Sequence, residues 1–196
     1  MTILLLAGSP SAPSRSTRLL NHVGDKLVQL GHRYARLEVR DLPGQAILRA
    51  DWNDAQIKAA LSTVEEASAV VIATPVYKAA YSGILKAFLD LLPQFGLTDK
   101  LVLPLATGGS QSHMLALDYA LRPVLSSLNP KHVLPSIYAT EAQVTWSEES
   151  GLALDAPIAA RVEEGVAQLS ASLLALHKAA PQEFREVPFS QVRCSI

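Results

Sequence analysis

Three short runs, Ile3–Leu6, Ala69–Ala73 and Leu101–Ala106, are almost unbroken in apolar residues. Each is strand-length and without alternation, the pattern of a strand covered on both faces. His132–Tyr138 adds a fourth apolar strand. Tyr34–Val39 differs: Tyr, Leu and Val alternate with Arg and Glu, which predicts a half-buried edge strand. Between the strands the period changes to that of a helix. Leu19, Leu20, Val23, Leu27 and Leu30 share one face, and Gly31 stops that helix. A second helix is expected near Asn53–Glu66, with Ile57, Leu61 and Val64 inward, and others over Gly83–Leu92, His113–Leu128 and Ile158–His177. Asp41–Gly44 reads as a turn, Glu141–Pro157 as a long loop and Pro181–Ile196 as a polar tail.

Strand and helix alternate five times, which predicts a doubly wound parallel sheet with helices on both faces. Residues 1–178 then form one α/β domain, followed by a tail over 179–196. Pro104 departs from the pattern, because a proline inside a central strand gives up a ladder bond. The helices at Ile84–Leu92 and His113–Leu128 are apolar on more than one face, which asks for a covering surface such as a second subunit. Tyr119 and Pro123 sit inside the latter, where the proline removes a helical bond and predicts a kink or π-bulge.

Composition narrows the functions. The net charge is −1 and no run of lysine and arginine occurs, so neither nucleic acid nor an anionic membrane is the expected partner. The single cysteine, Cys194, excludes a disulfide framework, and the five histidines lie too far apart for a zinc motif. The start, MTILLLAGS, lacks the basic region and apolar length of a signal peptide, so a cytoplasmic location is expected.

The chemistry gathers where the apolar strands end. After Gly8, the loop offers Ser9, Ser11, Ser14, Ser16 and Thr17 with Arg15 and Arg18, and a helix begins at about Thr17. Hydroxyls, a guanidinium and the free N–H groups of a helix start suit a phosphate, although a serine there also serves as a plain helix cap. One glycine stands where the dinucleotide pattern needs three, and no Walker lysine follows, which points to a mononucleotide. The second strand end, Thr74–Gly83, offers loop N–H groups beside Val76 and Tyr77, suited to a flat heterocycle. The third, Thr107–His113, has Gly108 and Gly109 at its centre, so backbone can approach a ligand closely.

The segments GSPSAPSRSTRLL, TPVYKAAYSG, LPLATGGS and LALDYALRPVLSSL resemble the NADPH-dependent FMN reductases of two-component alkanesulfonate monooxygenase systems, over Met1 to about Tyr138. The resemblance implies a flavodoxin-like five-stranded sheet of order 2-1-3-4-5 in three α/β/α layers, binding FMN and NADPH. It places the FMN phosphate on Ser9, Ser14, Arg15, Ser16 and Thr17, and the ring between Pro75, Val76, Tyr77 and Thr107, Gly108, Gly109. Where the wider family has an arginine and an asparagine in this loop, Ser11 and Arg18 stand here. Hydride transfer between nicotinamide and flavin needs no protein acid or base, so no catalytic residue is assigned, and His113 is read as a helix-start residue. The resemblance further implies a homodimer or homotetramer with Tyr119 on a π-helix at the interface, and a partner monooxygenase that consumes reduced flavin during desulfonation. The alternatives are a flavin-retaining quinone or azo reductase, and a flavodoxin-type electron carrier, against which the small net charge speaks.

Overall fold

A computed structural model describes residues 1–178; the tail expected over 181–196 and Cys194 lie outside them. Parallel strands β1 (Thr2–Ala7), β2 (Arg33–Glu38), β3 (Ala69–Tyr77) and β5 (Leu101–Gly108) form the body of one sheet in the order β2-β1-β3-β5. Its far edge is a strand in two pieces, β6 (His132–Val133) and β7 (Ile137–Thr140), both parallel to β5. A short β4 (Ala80–Tyr81) folds back on the end of β3. With the hairpin set aside and β6 and β7 taken as one strand, the order is the expected 2-1-3-4-5.

The apolar runs are explained by the two cores. Leu4, Leu6, Val70, Ile72 and Val102 face one way, against α3 (Ala55–Glu66), α4 (Gly83–Leu89) and α5 (Arg122–Ser127). Ile3, Leu5, Val71, Leu103 and Leu105 face the other, against α1 (Arg15–Gln29) and α6 (Ala156–Lys178). A two-sided strand has no place for a polar residue, and each such leucine withdrawn from water contributes ~1.5–3 kcal/mol. β2 has a neighbour on one side only, as its alternation predicts. A short helix, α2 (Gly44–Leu48), lies between the Asp41–Gly44 turn and α3.

Pro104 fits because its neighbour gives way. Val102 O accepts from Leu134 N at 2.8 Å, so Val102 and Pro104 both turn their main-chain groups toward β6 and β7. The ladder would next pair the nitrogen of residue 104 with Leu134 O. Pro104 has no proton to give, the edge strand breaks at residues 134–136, and Arg122 Nη2 donates to Leu134 O instead, at 3.3 Å. Arg122 Nη1 also reaches Val133 O at 3.2 Å. The guanidinium thus replaces a missing backbone donor.

The helix expected over His113–Leu128 is interrupted. A 3-10 turn spans Gln111–His113, a π-helix spans Leu117–Leu121, and α5 begins only at Arg122, with Pro123 in its first turn. Pro123 therefore follows the widened turn and needs no N–H there. Helix α4 buries Leu85, Phe88 and Leu89 within this chain, so its apolar faces need little outside cover. The π-helix region does leave apolar groups outside: Met114, Leu115 and Tyr119 are exposed, Tyr119 at 79%.

The stretch over 141–157 is not a loop. It forms an antiparallel hairpin of β8 (Val144–Ser147) and β9 (Gly151–Leu154), and its last residues already belong to α6. Val144 is buried in the core against α1 and α6. Gln143 fixes the hairpin's base, donating to Asp155 Oδ2 at 2.9 Å and accepting from Thr140 N at 3.0 Å. Among the described residues no helix is long and apolar enough to cross a membrane.

Candidate functional site

At the carboxyl ends of β1, β3 and β5 the three loops meet around a cleft of about 220 Å3. Ser9, Ser14, Arg15, Pro75, Val76, Tyr77, Thr107, Gly108 and Gly109 all line it. Of the eleven residues that the resemblance assigns to FMN, Ser16 and Thr17 do not. Both are buried behind it in the first turn of α1, which starts at Arg15 rather than Thr17. Ser11, Pro13 and Glu141 complete the rim, and Glu141 is the group that the sequence pattern missed. No spacing could have marked it, since it comes from the end of β7, beyond the recognisable motifs. Larger hollows exist, one of about 610 Å3 beside Lys100. That one lies at the amino end of β5, whereas sheets of this topology bind at the carboxyl ends.

Each wall has a local cause. Gly8 does not bend the chain through positive φ; its N donates to Ala73 O at 2.8 Å, and a β-carbon on it would press on Leu85 Cβ at 2.8 Å. Its lack of a side chain admits α4 beneath the loop. Ser14 caps α1 through its Oγ, which accepts from Thr17 N at 3.4 Å and meets Ser16 Oγ at 2.9 Å. Ser9 is 2% exposed and holds the loop's turn, accepting from Ser11 N at 3.2 Å. Arg40, paired with Glu38, donates to Ser11 O and ties the loop to β2.

The second wall is a continuation of β3. Pro75–Tyr77 extend the strand, and Lys78 and Ala79 turn it back with φ of 50° and 63°. Two successive left-handed residues are what a tight hairpin turn demands, and without glycine or asparagine they are strained. Such strain is found at sites held for function, and no Gly or Asn marks this turn in the sequence. Ser82, fully buried, links the walls: its N donates to Thr74 Oγ1 at 3.0 Å, its Oγ donates to Gly8 O, and that Oγ also accepts from Leu85 N at 3.3 Å.

The third wall depends on Tyr138, which lies under the glycines and donates to Ser110 O at 2.6 Å. A β-carbon on Gly108 would fall inside contact distance of the Tyr138 hydroxyl, while one on Gly109 would meet nothing within 4 Å. Burial pushes the Tyr138 phenol above its ordinary value, and does the same to Tyr81 on β4 of the hairpin. The phenols act as fixed donors and supports.

These groups fit FMN. Among the described residues Thr17 Oγ1, buried in the first turn of α1, has no hydrogen-bond partner, while Thr17 N donates to the capping Ser14 Oγ. Orphaned polar atoms of this kind ask for a ligand, and the helix start supplies N–H groups and a favourable dipole for its phosphate. Pro75–Tyr77 and Thr107–Gly109 present apolar surface and open backbone where the ring would lie. Arg15 Nη1 is 3.2 Å from Glu141 Oε2, so its charge is already partly matched. His113 ends the 3-10 turn and does not line the cleft.

Comparison with known proteins agrees. A family model described as NADPH-dependent FMN reductase matches residues 1–145. The chain is similar to the FMN reductase (NADPH) of Pseudomonas putida, 43% identical over 76% of this chain and 75% of that protein. It is 44% identical to the FMN reductase (NADPH) of Escherichia coli K12, over 74% of this chain and 75% of that one. The NADH-dependent FMN reductase SfnE of Pseudomonas putida is 33% identical over 85% and 91%. Among solved structures, the apo form of an NADH:FMN oxidoreductase, EmoB, superposes with a TM-score of 0.80 at 37% identity, covering 87% of this chain and 89% of that one.

Proposed function

The chain belongs to the NADPH-dependent FMN reductase family, and from that membership we propose that it releases reduced FMN to a separate monooxygenase instead of retaining it. It is an oxidoreductase that takes electrons from NADPH and delivers them to FMN. Bound FMN supplies the hydride-accepting ring; the protein's part is to hold phosphate and ring in place.

Release is supported by the small volume of the cleft. At about 220 Å3 it falls below the ~300–1,000 Å3 of pockets that bury most of a ligand this large. Its nearest cation, Arg15, is already engaged by Glu141. A seat of this kind positions a flavin without burying it. In this reading Ser9, Ser14 and Arg15 face the phosphate, with Ser16 and Thr17 behind them in the first turn of α1. Pro75, Val76 and Tyr77 border the ring on one side, with Thr107, Gly108 and Gly109 on the other.

Tyr119, the most exposed large aromatic side chain among the described residues, projects from the π-helix beside β4. It forms part of a homodimer or homotetramer interface, and the widened turn there couples assembly to flavin release. The consumer is an FMNH2-dependent monooxygenase of sulfonate breakdown, acting in the cytoplasm. The test is steady-state NADPH oxidation by purified protein. Turnover should require added FMN, exceed one equivalent per chain, and leave reduced flavin that passes a protein-retaining filter anaerobically. A protein that stays yellow through dialysis and reduces quinones without added FMN refutes the proposal.

A further inference from the structure

A second hollow, of about 390 Å3, adjoins the flavin cleft through Pro13, Arg15 and Glu141 and is closed on its far side by Arg18, Thr145 and Trp146. Its chemistry is unlike that of the cleft. Arg18, half-buried one turn into α1, lays its guanidinium on the Trp146 ring, with Cζ 3.8 Å from the centroid. Among the described residues its guanidinium has no carboxylate partner and makes no hydrogen bond; only its backbone N donates, to Ser14 O at 3.0 Å. A guanidinium lying over an aromatic ring still has N–H donors to give, and a half-buried cation with unused donors favours an anion. The other charged pair in the lining, Arg15 and Glu141, is matched within itself at 3.2 Å, so Arg18 sets the sign of the hollow.

The support is rigid. Trp146 stands on β8, whose base is fixed by Gln143 and whose Val144 is 1% exposed. The hollow is thus built, not formed by a wandering loop. Two anions reach this end of the molecule. In the proposed function the FMN phosphate sits at the loop and first turn of α1, where Thr17 Oγ1 is unpartnered among the described residues. The other is the electron donor, whose nicotinamide must reach the ring while its adenosine end runs out over the rim.

We propose that Arg18, braced on Trp146, receives the adenosine 2′-phosphate of NADPH and so sets the choice of NADPH over NADH. The inference rests on FMN occupying the adjoining cleft. The half-exposed indole, 45% accessible, offers the adenine an apolar surface next to that phosphate.

The experiment compares kcat/KM for NADPH and for NADH at saturating FMN in the unmodified protein, Arg18→Ala, Arg18→Lys and Trp146→Ala. Loss of a charge-assisted contact lowers kcat/KM for NADPH by about ten- to a hundredfold, through KM. The NADH value should move far less, Arg18→Lys should keep part of the preference, and Trp146→Ala should lose part of it. Inhibition of the unmodified protein needs no variant: 2′,5′-ADP should compete with NADPH more strongly than 5′-AMP. Equal losses for both nucleotides in Arg18→Ala, or equal inhibition by the two adenosine phosphates, overturn the proposal. A loss of FMN affinity in Arg18→Ala, read by flavin fluorescence, also overturns it by assigning Arg18 to the flavin phosphate. No fluorescence change when FMN meets the unmodified protein overturns the flavin seat first, and the proposal with it.

Discussion

Alanine at position 108 probes the tightest point of the site. Its β-carbon would stand inside contact distance of Tyr138 Oη and 3.3 Å from both Tyr138 Cζ and Val76 Cβ. Tyr138 is 4% exposed and donates to Ser110 O at 2.6 Å, so the ring cannot withdraw without losing that bond. Overpacking of this kind costs ~1–3 kcal/mol, and the hydrogen bond adds ~0.5–1.5 kcal/mol. Together these give about 2–4 kcal/mol, a fall in melting temperature of roughly 5–15 °C for a chain of this length. Gly109→Ala is the control, because nothing lies within 4 Å of its added carbon. Both changes share the same effect on the unfolded chain, so their difference reports the native clash alone. Gly108→Ala/Tyr138→Phe, which removes the obstructing hydroxyl, should be more stable than the sum of its single changes by about 1 kcal/mol. Urea denaturation and thermal melts of the four variants beside the unmodified protein measure all of this. A Gly108→Ala protein as stable as Gly109→Ala, or a strictly additive double variant, refutes the reasoning.

Ser82→Ala removes a buried cap that also bonds Gly8 O, so it should cost ~1–3 kcal/mol and weaken FMN binding by loosening two walls at once; melts and a flavin titration check it. Arg122→Ala strips Val133 O and Leu134 O of their donor opposite Pro104 and should cost about 2 kcal/mol or more by urea denaturation. Burial raises the Tyr138 and Tyr81 phenols above 10, so above that pH the unfolded chain gives up protons that the folded chain keeps. Stability should therefore fall as pH rises past about 10, and Tyr138→Phe should flatten that slope in melts across the alkaline range.

Where burial and period point the same way, the fold is readable from residues. Ile3–Leu6 and Ala69–Ala73 are apolar at every position because both faces are covered, and few other elements look like that. Pro123 and the leucines around it announced a broken helix, and a π-helix stands directly before it. The hairpins were hidden for a physical reason. Lys78 and Ala79 carry no turn signature, because their left-handed backbone is imposed by the pairing of Val76 with Tyr81. β8 and β9 are four residues each, too short for alternation to be distinguished from loop. Site residues on contiguous loops were legible, and nine of the eleven line the cleft. Glu141 and Trp146 were not, since only the tertiary fold brings the end of β7 and β8 beside α1.

The most direct test of the account compares FMN with riboflavin, which lacks only the phosphate, by fluorescence titration of the same protein. If the hydroxyls before α1 and the helix start hold that phosphate, FMN binds at least about tenfold more tightly, the worth of one charge-assisted contact. Equal affinities for the two flavins would contradict the account at its base.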